Sequence, residues 1–143
     1  MITVGRARLL EKLFGEVVIP PAVFDELTAF HDAIPSWARV VAVRDITKAE
    51  RFSDVLDRGE SEALVLAVEL GADFLLMDEK AGREVAALEG LQVVGLLGVA
   101  LRAKQAGILG CTMKQLLVEL EFMAGFRMSQ ELKSRVLMLA GEE

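Results

Sequence analysis

The chain has 143 residues, of which 53% are hydrophobic and 27% are charged, a composition that fits one domain over residues 1–143 and excludes a disordered chain. Its net charge of −6 argues against a protein that binds nucleic acid passively through a basic surface. The charge is compatible with a nuclease, whose metal-binding carboxylates are themselves negative, and with a protein that pairs with a basic partner.

Several features predict where the protein works. No apolar run approaches the roughly 20 residues that a membrane span needs, so we expect no membrane association. Charged residues interrupt the N-terminus between Arg6 and Lys12, which predicts the absence of a signal peptide. Cys111 is the single cysteine and has no partner for an internal disulfide, which favours a reducing cytoplasm.

Hydrophobic periodicity and glycine or proline breaks predict alternating helices and strands. The first half predicts helix Arg6–Phe14, strand Glu16–Ile19, helix Ala22–Phe30, strand Val40–Val43 and a short helix Ala49–Leu56. The second half predicts helix Glu60–Leu70, strand Phe74–Met77, helix Glu79–Leu88, strand Leu91–Leu96, and helices Gly98–Ala106, Met113–Met123 and Gln130–Leu139. This alternation is typical of an α/β fold with a mostly parallel sheet covered on both faces.

Three acidic positions fall where they can converge. Asp78 directly follows a predicted strand, at the end where parallel sheets bind ligands. Glu26 lies in the helix after the first strand, at a position predicted to be half-buried, and Glu60 or Glu62 begins the helix before Asp78. A carboxylate cluster persists mainly when a cation occupies it, and oxygen ligands favour Mg²⁺ or Mn²⁺ over zinc. The alternative is that these acids only cap helices or complement their dipoles.

Glu60 and Glu62 cannot share a helix face, because they are two residues apart. Glu60 aligns with the apolar residues Leu64 and Ala67, whereas Glu62 aligns with Glu69 on the side predicted to face solvent. Periodicity therefore favours Glu60 as the ligand. Helix starts are uncertain by one or two residues, so Glu62 remains an alternative.

Three stretches resemble the PIN-like superfamily, and together they cover most of the chain. They are "GEVVIPPAVFDEL" (Gly15–Leu27), "LDRGESEALVLAVELGADFLLMDEKAGREVA" (Leu56–Ala86) and "VVGLLGVALRAKQAGIL" (Val93–Leu109). The most similar branch contains small prokaryotic proteins assigned as toxins of toxin–antitoxin modules or given no function. The resemblance implies an α/β/α sandwich and a Mg²⁺- or Mn²⁺-dependent ribonuclease that hydrolyses RNA.

The resemblance also implies which acids hold the metal. Carried onto this chain, they are Glu26, Glu60 and Asp78, and Glu62 is a neighbour that the branch tends to keep acidic. The family usually opens with a strand that ends in a metal-binding Asp, and "MITVGRARLLEKLFG" resembles the stretch just after it. The first family strand is therefore missing from the given sequence, and two explanations stay open: the start is misassigned or trimmed and the native protein has the strand, or the strand is truly absent. For the given residues we expect nuclease activity to be weak or absent, and a true absence predicts self-association as a compensation.

Two basic residues are candidates for binding RNA. Arg83 lies about one and a half turns after Asp78, where it reaches a phosphate or, as the favoured alternative, pairs with Glu79 or Glu84. Lys104 resembles a basic position of the branch and either binds the RNA backbone or caps its own helix. The resemblance implies a cognate antitoxin as a protein partner. A catalytically inactive interaction module is the alternative function, and a nucleotide-binding domain is disfavoured because no glycine-rich phosphate loop follows Ile19 or Met77.

Overall fold

The computed structural model of the protein describes residues 6–142, and these residues divide into two compact units. The first unit contains residues 6–15 and 96–142, and the second contains Glu16–Gly95. The predicted missing strand concerns the chain before Arg6, which lies outside the described residues. The prediction of a single domain stays a prediction.

The second unit is built from parallel strands joined by helices. Strand β1 pairs with β2 in the register Val17↔Ala38, and β3 pairs with β4 in the register Leu75↔Val93. Each pair is parallel and is connected through a helix, as parallel pairing requires. The elements are β1 Val17–Ile19, α2 Pro21–Phe30, β2 Ala38–Val40, α3 Ile46–Arg51, a 3-10 turn Phe52–Asp54, α4 Arg58–Leu70, β3 Leu75–Leu76, α5 Lys80–Leu88 and β4 Val93–Val94.

The core of this unit lies where α4 packs against its neighbours. Leu64 of α4 is fully buried, and Met77 and Ala86 bury their side chains in the same cluster as Leu75 of β3. Helix α4 ends at Gly71, whose φ of 60° is the left-handed conformation that a glycine adopts without steric cost. The apolar side of the predicted helix is therefore the buried side.

Several predicted elements start too late in the sequence, and two of them show the physical reason. The second strand begins at Ala38 rather than Val40, because its register opposite Val17 of β1 sets its start. Helix α3 begins at Ile46 rather than Ala49, because the side chain of Asp45 accepts the N–H of Lys48 at 3.0 Å and so caps the helix. The β-branched run Val40–Val43 obscured both boundaries.

The first unit is helical. It contains α1 Arg8–Phe14, α6 Leu96–Gln105, α7 Met113–Met123 and α8 Gln130–Leu139, the last two as predicted. Its core is formed by one face of α7 packed with residues of the other helices and is made of Leu9, Ala100, Ala103, Leu109, Met113, Leu116, Leu117, Leu120 and Val136.

The predicted fold class is confirmed: helices alternate with short parallel strands, consistent with an α/β/α architecture. The strands differ from the expectation in extent, because each has only two or three residues and the described strands form two separate pairs rather than one wide sheet. No helix within residues 6–142 has both the length and the apolarity needed to cross a membrane.

The core of the first unit gives a direct test of packing. Leu116 on α7 is 0% exposed and Leu139 on α8 is 54% exposed. We expect Leu116→Ala to lower the free energy of unfolding by about 2–5 kcal/mol, because it removes buried surface and leaves a cavity. The matched change Leu139→Ala should cost less than about 1 kcal/mol. Urea unfolding followed by circular dichroism measures both, and equal losses would show that α7 does not carry the core.

Candidate metal and nucleic-acid site

The N-terminus of α4 is closed by two reciprocal hydrogen bonds. The side chain of Asp57 accepts the backbone N–H of Glu60 at 2.8 Å, and the carboxylate of Glu60 accepts the backbone N–H of Asp57 at 3.2 Å. This arrangement is a capping box, and it satisfies two backbone groups that the helix leaves without internal partners. The first turn of α4 therefore carries two carboxylates before any other element contributes one.

Glu26 brings a third carboxylate to the same helix end from α2. Its carboxylate lies against Gly59, accepts the backbone N–H of that residue, and occupies the space where a Cβ atom would stand. The residue as a whole is exposed rather than half-buried as predicted. Its carboxyl end is nevertheless partly desolvated, and this burial is the main cause of a raised pKa, to which the negative charge of Asp57 adds.

Glu60 is half-buried and extends toward α5. Its Oε2 atom lies 3.2 Å from the place where a Cβ of Gly82 would stand. Burial raises the pKa of the Glu60 carboxyl, the hydrogen bond from the Asp57 backbone opposes this rise, and the charges of Asp57 and Glu79 add to it. The prediction that Glu60 lies on the inner side of its helix is correct in the sense that its carboxyl is partly withdrawn from water.

Periodicity predicted that Glu62 faces solvent, and the structure shows that it does not. Its side chain is only 18% exposed, Oε1 accepts the backbone N–H of Ala22 at 3.1 Å, and Oε2 pairs with Nε of Arg58 at 3.1 Å. The prediction failed because α2 covers this side of α4, and sequence periodicity cannot see a neighbouring helix. Glu62 thus accepts a backbone N–H group in the first turn of α2, which is a structural role.

Glu69 behaves in the same way. It was also assigned to the solvent side, yet its carboxylate accepts the backbone N–H groups of Arg44 at 2.8 Å and of Asp45 at 2.9 Å. Carboxylates on the polar side of α4 therefore accept backbone N–H groups at the start of α2 and directly before α3. This observation separates Glu62 from Glu60 more clearly than the sequence did.

Asp78 follows β3, as predicted, and is exposed. Its Oδ1 atom lies 2.8 Å from the place where a Cβ of Gly95 would stand, and Nη1 of Arg83 lies 3.5 Å from the same point. Asp78 and Arg83 also line a shallow pocket of about 350 Å³ together with Lys80, Glu84 and Ala87. A carboxylate and two basic side chains are therefore close together beside the carboxyl ends of β3 and β4.

The expected ion pair of Arg83 with Glu79 or Glu84 is not among the ion pairs of residues 6–142. A guanidinium directed toward Gly95 is placed beside the pocket rather than along its own helix. This position leaves the phosphate-binding prediction for Arg83 open to experiment.

Lys104 belongs to the first unit, in the last turn of α6. Its ammonium group pairs with the carboxylate of Glu142 at 3.1 Å, and this carboxylate also accepts the backbone N–H of Met113 at 2.6 Å. The hydrogen bond from Met113 is the first cause of a lowered pKa of Glu142. Lys104 thus holds the carboxylate that caps α7, an arrangement that neither sequence alternative anticipated.

Sequence reasoning missed four residues of the site: Asp57, Arg58, Gly59 and Gly95. The pattern D-x-x-E from Asp57 to Glu60 was a readable sign of a capping box. Arg58 had no such sign. Its guanidinium bridges Glu62 and, at 3.5 Å, Asp25, and its charge opposes the rise in the pKa of Glu26.

The donor chemistry suits a hard divalent cation, since the acids offer carboxylate oxygens and two of them have raised pKa values. Glu26 and Asp78 also lean into spaces that Cβ atoms of Gly59 and Gly95 would fill, whereas the corresponding space at Gly82 is filled by Met77 and only bordered by Glu60. Within residues 6–142, however, no three His, Cys, Asp or Glu side chains are grouped closely enough to hold a metal ion. The acids thus fit the cation in chemistry and charge, and within the described residues they do not form a closed ligand set.

Comparison with known proteins gives one match. The family model DUF3368, described as a PIN domain, matches residues 1–142. No curated protein and no solved structure matches the chain. PIN domains generally bind RNA and use divalent metal ions, and the family indicates a nuclease-type or PIN-like function. Because the match spans almost the whole sequence, the chain belongs to the PIN-domain family.

Proposed function

We propose that this protein is a divalent-metal-dependent ribonuclease in which Glu26, Glu60 and Asp78 hold Mg²⁺ or Mn²⁺. The observation that carries the proposal is that Glu26 and Asp78 occupy the space where Cβ atoms of Gly59 and Gly95 would stand. Glu60 is the third acid, and its Oε2 lies 3.2 Å from the corresponding position of Gly82, which the side chain of Met77 fills. None of these glycines has a positive φ, so the backbone does not require them. Glycine inside a helix costs up to about 1 kcal/mol relative to alanine, and room for the carboxylates is a reason to retain it.

Glu62 is excluded from this ligand set because both of its oxygens are engaged, one with α2 and one with Arg58. Lys104 is also left out, because its ammonium is paired with Glu142 in the first unit. Arg83 and Lys80 remain as the basic side chains next to Asp78. We propose that they bind the phosphate of the RNA backbone beside the metal.

When bound, the metal would supply an activated water and would neutralise charge on the phosphate. The chain itself supplies the remaining parts. Asp57 holds Glu60 in place through the capping box, Gly59 donates its N–H to Glu26, and Arg83 reduces the negative charge around Asp78. These contacts would fix the ligands before the cation arrives, which lowers the cost of assembling the site.

We further propose that the protein acts as the toxin of a toxin–antitoxin module, with a protein antitoxin as its partner. The support is the likeness to that branch of the family and the net charge of −6, which suits a basic partner segment. A second candidate function is an inactive PIN-domain module that binds proteins. It is favoured by the lack of a closed group of three metal-binding side chains within residues 6–142.

Metal binding distinguishes these two functions. We expect the wild-type protein to bind Mn²⁺ saturably in calorimetry, and its cleavage of single-stranded RNA, which the sequence predicts to be weak, to require the ion. Asp78→Asn and Glu60→Gln should each weaken Mn²⁺ binding by roughly tenfold or more, since even groups next to a ligand set typically contribute 10–100-fold.

Two matched controls make this experiment specific. Asp73→Asn changes the same residue type at the other end of the β3 segment, and Glu62→Gln changes the other acid of the α4 start. Both should keep Mn²⁺ affinity within a few-fold, and Glu62→Gln should instead lower the melting temperature. Absence of binding and cleavage by the wild-type protein would refute the nuclease and support the binding module.

Gly59 provides an independent test. By helix propensity alone, Gly59→Ala should stabilise α4 by up to about 1 kcal/mol. The new methyl group would collide with the carboxylate of Glu26, so we expect Mn²⁺ affinity to fall and no gain in stability. Calorimetry and thermal unfolding of the same preparation measure both effects. A more stable protein with unchanged Mn²⁺ affinity would remove Glu26 from the ligand set.

The raised pKa of Glu26 predicts a pH dependence. In the unfolded chain this carboxyl ionises near its ordinary value of 4.5, and in the folded protein it ionises at higher pH. Above the folded value the wild-type protein carries a disfavoured carboxylate, whereas Glu26→Gln does not. The variant should therefore melt at a higher temperature at pH 7 in metal-free buffer. The difference should narrow as the pH falls through the raised pKa and vanish below the unfolded value; a difference that widens toward acid would contradict the assignment.

A further inference from the structure

Met77 lies between two of the proposed metal ligands. Its backbone N–H donates to the carbonyl of Val94 at 3.1 Å, which continues the pairing of β3 with β4 by one residue. Met77 is buried, whereas Leu76 before it and Asp78 after it are exposed, so the side chains alternate as they do along a strand. The side chain of Met77 therefore faces inward directly before the exposed Asp78.

The inward side chain of Met77 fills the space beside Gly82 of α5. Its Sδ atom takes the position where a Cβ of Gly82 would stand, and its Cγ atom lies 3.1 Å from that position. Gly82 is buried and does not have a positive φ, so its backbone conformation does not require a glycine. The close contact with Met77 is therefore a reason for a glycine at this place in the helix.

Glu60 brings its carboxylate to the same place from α4. Its Oε1 atom is held by the capping box, where it accepts the backbone N–H of Asp57 at 3.2 Å. Its Oε2 atom lies 3.2 Å from the Cβ position of Gly82 that the sulfur of Met77 occupies. The oxygen that the capping box does not use is thus the oxygen that borders the thioether.

We propose that Met77 is a positioning residue of the metal site, whose thioether sets where Oε2 of Glu60 stands relative to Asp78. The inference rests on the proposed function, in which Glu60 and Asp78 bind the same cation. A hydrogen bond fixes one oxygen of Glu60, and packing against Met77 fixes the other without a hydrogen bond. Oε2 therefore keeps its lone pairs for a cation.

A methionine suits this role chemically. Its sulfur is a weak hydrogen-bond acceptor and carries no donor, so it does not pair with a carboxylate. Its side chain withdraws Oε2 from water, which agrees with the burial that raises the pKa of Glu60. The flexible side chain also adapts when a carboxylate shifts toward an arriving ion. A polar side chain of similar length, such as that of glutamine, would instead donate an N–H to Oε2 and compete with the metal.

A pair of compensating substitutions tests the contact. Gly82→Ala puts a methyl group where Sδ lies, and Met77→Ala removes Sδ. Each change alone should weaken Mn²⁺ binding in calorimetry by roughly tenfold or more. In the double variant the methyl group at position 82 takes the place that the sulfur left, so we expect Mn²⁺ affinity within a few-fold of the wild-type value. Losses that add up in the double variant would overturn the proposal.

Met77→Leu and Met77→Gln form a matched pair that tests the chemistry of the side chain. Both replacements are close to methionine in size, but only glutamine offers a hydrogen-bond donor. We expect Met77→Leu to keep Mn²⁺ affinity within a few-fold and Met77→Gln to lose roughly tenfold or more. Circular dichroism confirms that each variant is folded. Equal affinities of the two variants would contradict the proposed role, and this pair decides alone if Met77→Ala does not fold.

A measurement without metal separates this proposal from the proposed function. In protein labelled with ¹³C at its glutamate carboxyl groups, Glu60→Gln assigns the Glu60 signal. That signal should shift in Met77→Ala and in Gly82→Ala, and it should return toward the wild-type position in the double variant. This pattern in a protein that binds no Mn²⁺ would support the positioning of Glu60 and refute the metal site. Mn²⁺ binding together with an unchanged Glu60 signal in all variants would refute the positioning and keep the metal site.

Discussion

The arrangement of the second unit depends on how the negative charge of several carboxylates is compensated at the N-terminus of α4. Four carboxylates, from Glu26, Asp57, Glu60 and Glu62, are brought to the first turn of this helix or directly beside it. The partial positive charge of the helix N-terminus attracts them, and free backbone N–H groups of α2 and α4 donate hydrogen bonds to their oxygens. Arg58 is the side-chain cation at this point. These interactions compensate the negative charge only in part, because the pKa values of Glu26 and Glu60 are still raised.

The incomplete compensation of these carboxylates links the packing around α4 to the proposed binding of a metal ion. A carboxylate that only caps a helix is stabilised by its hydrogen bonds, as Glu142 is, and its pKa falls. Glu26 and Glu60 also accept backbone hydrogen bonds, yet burial outweighs these bonds and the pKa values rise. A divalent cation would reverse this relation, since it interacts only with the ionised form. Metal binding should therefore stabilise the unit through the same carboxylates that it would use for catalysis.

The sequence predicted more of the elements than of their contacts. The limits of α7 and α8 were predicted correctly, because their apolar periodicity is regular and Thr112 and Ser129 are recognisable N-caps. Asp78 was placed at the end of a strand because an apolar run ends abruptly there. Glu62 was misplaced because its exposure is decided by α2, which is distant in sequence. The same limitation hid Arg58 and the ion pair of Lys104 with Glu142.

Glycine offered a signal that periodicity did not. A glycine in or beside a predicted helix is usually interpreted as a tolerated weakness, and the sequence alone assigned no role to Gly59 or Gly82. Both are buried, and a Cβ on Gly59 would collide with the carboxylate of Glu26. A Cβ on Gly82 would collide with Met77 and lie 3.2 Å from Oε2 of Glu60. Gly15 and Gly71, by contrast, have a positive φ and open space around them, so they serve the backbone at helix ends. The distinction between a glycine that serves the backbone and a glycine that makes room for an acid therefore points to Glu26 on purely steric grounds.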